Sequence, residues 1–213
     1  FASLRISVKS SDAKLVGRIF SAKIIELALA SYPGFSGRTA PGAGGPFIIH
    51  WPALVDSRHI TETVHVNGQA ISVPPTSQLD IEEKHYQKRP VDIGPPPNGD
   101  TVTSPLGRVF GTRSGDKGGA ANVGLWAKTD DAYAWAWHHL TAEKLKEILP
   151  DLAPYQVERF ELANIRALNF MIYGLLGEGV AANDRIDGQA KTLGEYLRSR
   201  PVDLPVSLLP QSA

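Results

Sequence analysis

The chain is 213 residues long, with 22 Lys and Arg balancing 22 Asp and Glu. That neutrality argues against nucleic acid or an anionic membrane as a partner, since both demand a basic surplus. No cysteine is present, which excludes disulfides, thiolate metal sites and a cysteine nucleophile; the most apolar run, residues 24–30, is too short to cross a bilayer, and the expected location is the cytoplasm.

Leu4, Ile6 and Val8 alternate with polar residues and predict a strand with one buried face. The chain opens at Phe1 just ahead of this strand, so a fragment of a longer polypeptide is expected. Asp12 is placed to cap a helix in which Leu15, Val16, Ile19, Phe20, Ile24, Leu27 and Ala28 recur at helical spacing to about Ser31, where Tyr32-Pro33-Gly34 stops it. A glycine-rich loop with Arg38 follows, then a predicted buried strand over 47–51. Segments 61–66 and 69–73 flank Asn67-Gly68, a hairpin signal because both turn positions need positive φ. Residues 74–104 hold Glu82-Glu83-Lys84 and Pro95-Pro96-Pro97-Asn98-Gly99, show no period, and read as a linker. Residues 1–73 thus form one unit, 105–204 a second, and 205–213 a tail.

In the second unit the pattern predicts strands over 107–112 and 122–127 around a glycine-rich loop at 113–119. Helical segments follow over 132–149, the second capped by Thr141. A strand is predicted over 155–162 and another over 180–186, with 165–176 ambiguous between helix and strand. A last helix over 189–198 stops before Pro201. This order predicts an α+β fold, an α/β sandwich with helices on one face of a sheet.

The string Gly111-Thr112-Arg113-Ser114-Gly115-Asp116-Lys117-Gly118-Gly119-Ala120-Ala121-Asn122-Val123-Gly124 resembles the hallmark of the small C-terminal domain of AtuA-family (acyclic terpene utilisation) proteins. The segment from Phe160 to Phe170 and the following Gly174-Leu175-Leu176-Gly177-Glu178-Gly179-Val180 are similar to further family segments. Ala28 to Phe35, Pro41-Gly42-Ala43 and Trp51-Pro52-Ala53-Leu54-Val55 look like the end of the family's larger N-terminal domain. The resemblance implies a ferredoxin-like fold for 105–204. It implies a fragment of a larger α/β domain before it, whose missing N-terminal portion is an expected partner. It also points to the breakdown of acyclic terpenes through CoA thioesters.

The residues themselves suit an anionic small molecule such as an acyl-CoA or a carboxylate. Glycines allow close backbone approach and present N–H groups to an anion. Arg113 can grip a carboxylate or phosphate bidentately, and Lys117 adds a point charge. Ser114 and Asn122 can donate to an oxyanion; Gly115, Gly118 and Arg38 complete the candidate binding set. Asp116 and Lys117 are the catalytic candidates, since together they could move protons in a lyase or hydratase step. The string is neither a P-loop nor a nucleophile elbow, and the bland reading is a turn braced by its own charges. His50 reads as a core residue; adjacent His138 and His139 do not share a helix face, and no metal-ligand spacing occurs. The residues do not name a cofactor, which stays open. Asn164, Arg166 and Asn169 either satisfy buried backbone or reach the Arg113 segment, and Tyr133, Trp135 and Trp137 read as packing residues. Two functions stay open: an enzyme of acyclic terpenoid or branched acyl-CoA breakdown, and a non-catalytic assembly module, with homo-oligomerisation expected.

Overall fold

A computed structural model describes residues 3–30, 32–37, 39–73 and 91–210. Up to Val73 none of the described residues is buried, and Trp51 and Leu54 stand almost fully open at 85% and 105% exposure. The strand expected over 4–8 does not form, nor does the one over 47–51. A strand needs an edge to pair with, and no described neighbour offers one. His50 is accordingly exposed rather than core. The predicted long helix is broken at Gly17 into α1 (Ala13–Val16) and α2 (Arg18–Glu26), and α2 ends before the expected Ser31. Asp12 caps α1 by accepting from the Lys14 N–H at 2.9 Å. The Asn67-Gly68 hairpin forms as predicted between β1 (Glu62–Val66) and β2 (Gln69–Val73), with both turn residues at positive φ.

The core lies in the second unit. β4 (Gly111–Lys117), β5 (Ala120–Trp126), β6 (Gln156–Leu162) and β7 (Ala167–Tyr173) form an antiparallel sheet in the order β4-β5-β7-β6. The ambiguous segment is therefore a strand, β7, because its apolar residues alternate with Asn169 and Met171 and bury one face only. That buried face carries Ala121, Val123, Leu125, Leu168, Phe170 and Ile172. Against it pack α3 (Asp130–His139), α4 (Ala142–Ile148) and α5 (Leu193–Ser199) through Trp135, Ala136, Leu145, Ile148, Leu193 and Leu197. Trp135 stacks on Phe110 at 5.6 Å and on His139 at 5.1 Å, so the aromatic run on α3 is packing, as its neutral surroundings suggest. Thr129 and Thr141 cap α3 and α4. The result is an α+β domain with a one-sided helical layer.

Two short strands close the domain. β3 (Thr101–Pro105) pairs with β8 (Pro201–Pro205), so regular structure starts inside the stretch read as a linker. Residues 74–90 of that stretch, Glu82-Glu83-Lys84 among them, lie outside the described residues. Residues 180–186 are turns, not the predicted strand. Asn183 explains this: its amide donates to the carbonyls of Gly179 (2.9 Å) and Gly188 (3.0 Å), and its oxygen accepts from Arg185 N–H (3.1 Å). Local side-chain bonds of this kind compete with strand pairing.

Candidate functional site

The segment expected as an anion-cradling loop is the edge strand β4 and the turn after it. Lys117 pairs with Ala120 across Gly118-Gly119. Gly118, at φ +63, takes the first central position of a two-residue hairpin loop, which wants glycine there. Successive side chains of a strand point to opposite faces, and this alternation sorts the string. Thr112, Ser114 and Asp116 lie on the face of Leu125, Val123 and Ala121, toward the core. Gly111, Arg113, Gly115 and Lys117 lie on the other face, which no helix among the described residues covers; Trp126, Phe160, Leu162 and Tyr173 stand about two-fifths exposed there.

Ser114 is buried and fully engaged. Its hydroxyl donates to the Lys191 carbonyl at 3.2 Å and accepts from the Gly194 N–H at 2.8 Å. It fastens α5 to the sheet and has no donor left for an oxyanion, contrary to the sequence expectation. Gly194 makes the contact possible, since a Cβ there would meet the Thr112 hydroxyl at 2.9 Å and Ser114 Oγ at 3.3 Å. Asp116 and Lys117 are separated by the alternation: they do not form a proton-transfer pair on one face. Lys117 Nζ donates to the Asp116 carbonyl at 2.9 Å. Gly118 serves the turn. Arg38 lies outside the described residues.

What the strand does assemble is a cationic patch on the open face. Arg113 and Lys117 flank Gly115, and the Lys191 ammonium lies 3.2 Å from where a Gly115 Cβ would stand. None of these three cations is in an ion pair with a described carboxylate. In the next strands Asn122 faces Gly115, and Asn169 lies beyond Gly124 in the row of Arg113. The Asn122 amide donates to Asn169 Oδ1 at 2.9 Å, which leaves the Asn169 amide hydrogens for the face. The nearby acid, Glu158, is engaged by the Tyr173 hydroxyl at 2.8 Å, a bond that raises the phenol above its ordinary range. A pocket of about 260 Å³ opens beside the strand, lined by Thr112, Arg113, Ser114, Lys191, Gly194 and Glu195.

Lys191, Thr112, Gly194 and Trp126 were not singled out by sequence. The signal for Lys191 lies upstream in Asp187. The Asp187 carboxylate accepts from Lys191 N–H (2.8 Å), Thr192 N–H (2.9 Å) and the Thr192 hydroxyl (2.7 Å). Burial pushes the Asp187 carboxyl up, but these bonds outweigh it and hold it below its usual range. The stabilisation they carry is present above the ordinary carboxylate pKa and is lost as pH falls through the lowered value. The same clasp delays α5 to Leu193, later than the predicted start at 189.

Asn164 and Arg166 do not reach β4. They line a separate pocket of about 250 Å³ with Asp92, Gly94, Asp130 and Tyr133, and Arg166 pairs with Asp130. Among the described residues no cluster of three His, Asp or Glu side chains could hold a metal, and no helix is long and apolar enough to cross a membrane.

An antiparallel sheet with helices on one side and a cationic, amide-bearing open face on the other makes this an α+β domain. Residues 104–203 match the AtuA ferredoxin-like domain, and residues 1–66 match the acyclic terpene utilisation family protein AtuA. The chain belongs to the AtuA family. No curated protein and no solved structure matches it.

Proposed function

We propose that the open sheet face binds an anionic small molecule, a carboxylate or CoA thioester, in the breakdown of acyclic terpenoid or branched acyl compounds. The carrying observation is the patch itself: Arg113, Lys117 and Lys191 around a glycine, with no described carboxylate paired to any of them. Unpaired cations are normal on a surface, but three around one bare backbone position favour an anion over water alone. The face grades from these cations at β4, through Asn122 and Asn169, to Met171, Phe160 and Leu162. That gradient supports an amphiphile with a charged head and an apolar tail. In a lyase- or hydratase-type step the proton would pass through Lys117, since Asp116 lies on the other side of the sheet. Coenzyme A and 3-methylbutanoate, titrated into the full chain and followed by calorimetry and NMR, test the reading. Arg113→Ala is expected to weaken binding about tenfold or more, the value of a charge-assisted bidentate contact; unchanged affinity removes Arg113 from the site.

The exposed apolar residues of the first unit, Leu29, Trp51 and Leu54 above all, favour a second role in assembly. Surfaces of this kind mark association sites, either with the rest of a larger domain or with another copy. Sedimentation of the 213-residue chain should show concentration-dependent association through this region, and Trp51→Ser should reduce it. A chain that stays monomeric at every concentration removes self-association and leaves docking on the rest of a larger domain as the use of this surface.

A further inference from the structure

We infer that Lys191 completes the anion site and sets its charge preference, selecting a compact dianion such as a phosphate monoester over a singly charged carboxylate. The inference rests on the open-face reading and deepens it. Lys191 comes from a loop far along the chain from β4, yet three features bring its ammonium to the middle of the patch. Its N–H is held by the Asp187 carboxylate at 2.8 Å and its carbonyl by the Ser114 hydroxyl at 3.2 Å. The residue before it, Ala190, is buried at φ +52, a conformation that a non-glycine residue adopts only when its surroundings impose it. And Gly115 has no side chain where the ammonium lies, 3.2 Å from the site of a Cβ.

A backbone fixed on both sides of one lysine places that lysine's cation reproducibly. Residues two apart on a strand are about 7 Å from each other, so Arg113 and Lys117 bracket Gly115 at that spacing and Lys191 falls between them. A monoanion is satisfied by Arg113 alone. A tetrahedral dianion spreads charge over several oxygens and gains from a second and third cation at short range. Two carboxylates on the same segment as Lys191 are already used: Asp187 by the backbone it clasps and Glu195, which lines the same pocket, by Arg198 at 3.1 Å. The lysine charge therefore remains available to a ligand. Gly115 acquires a specific role in this arrangement. A methyl group there displaces the flexible ammonium without straining the strand.

The test titrates inorganic phosphate, at a pH where it is doubly charged, and acetate into the full chain and follows amide shifts by NMR. Lys191→Gln should weaken phosphate about tenfold and acetate less than about twofold, and Lys191→Arg should restore most of the preference. Gly115→Ala should reproduce the phosphate loss with an unchanged unfolding midpoint. The double variant should bind no more weakly than either single one, because both act through the same ammonium. Additive losses, or phosphate affinity unchanged in Lys191→Gln while Arg113→Ala weakens it, overturn the inference and leave the parent reading standing. If neither anion binds the wild-type chain saturably, both fail.

Discussion

Gly119→Ala is expected to lower the stability of the second unit by about 3 kcal/mol, the upper part of the range for forcing extra atoms into a closed contact. A Cβ on Gly119 would lie 2.2 Å from the Gly177 carbonyl oxygen. That neighbour is backbone, so no rotamer change relieves the overlap. The approach is locked from the other side as well, because the Gly119 carbonyl accepts from the Leu176 N–H at 2.9 Å. The hairpin of β4 and β5 and the turn after β7 are thus joined backbone to backbone, and one of them must retreat. Gly118 provides the control. It has positive φ but nothing within 4 Å of a Cβ, so Gly118→Ala should cost only about 1–2 kcal/mol of left-handed strain. Urea unfolding of both variants separates the cases, and equal losses would remove the close approach as the reason for the second glycine.

These two glycines also show how far the sequence could be read. The run of glycines in 111–119 was legible as a place where backbone comes close to something, and at Gly119 that is so. The partner is another loop of the same chain, however, which no local pattern names. The loop expectation missed two things that the sequence held. Gly118-Gly119 between Lys117 and Ala120 is itself a hairpin signal, of the same kind as Asn67-Gly68. And Thr112, Ser114 and Asp116 already alternate with Arg113, Gly115 and Lys117 as strand residues do. The absence of aliphatic residues hid the period, because β4 is an edge strand whose core side, Thr112, Ser114 and Asp116, is small and polar. Arg113 and Asn122 were identifiable from their chemistry, and the strand register brings them to one face with Asn169. Lys191 was not identifiable, since it arrives through the Asp187 clasp and a buried left-handed alanine. In the first unit, the alternation at 4–8 and the apolar run at 47–51 were both real, but a hydrophobic pattern makes a strand only when an edge is there to receive it.

A comparable loss, about 3 kcal/mol, is expected from Arg159→Ala on the far side of the domain. Arg159 lies on the core face of β6, and its guanidinium donates to the carbonyls of Trp137 (2.7 Å) and Leu140 (3.1 Å) and to Glu161 Oε1 (2.8 Å). The first two acceptors end α3, where carbonyls have no partner within the helix and the helix dipole favours a cation. The pair with Glu161 is largely sheltered, at 19% and 24% side-chain exposure, so water screens it little. The ring of Trp137 packs against the guanidinium at 5.6 Å and adds a cation–π contact. Truncation removes all of this at once and opens the seam between α3 and the sheet. Arg159→Lys should recover only part of the loss, because one ammonium cannot span two carbonyls and a carboxylate in the geometry of a planar fork. The seam lies across the sheet from the cationic patch, so urea midpoints should fall in both variants while phosphate titration at temperatures below unfolding stays as in the wild type. Loss of binding in parallel with stability would mean that the open face is held in shape by the helical layer and not by the hairpin of β4 and β5 alone.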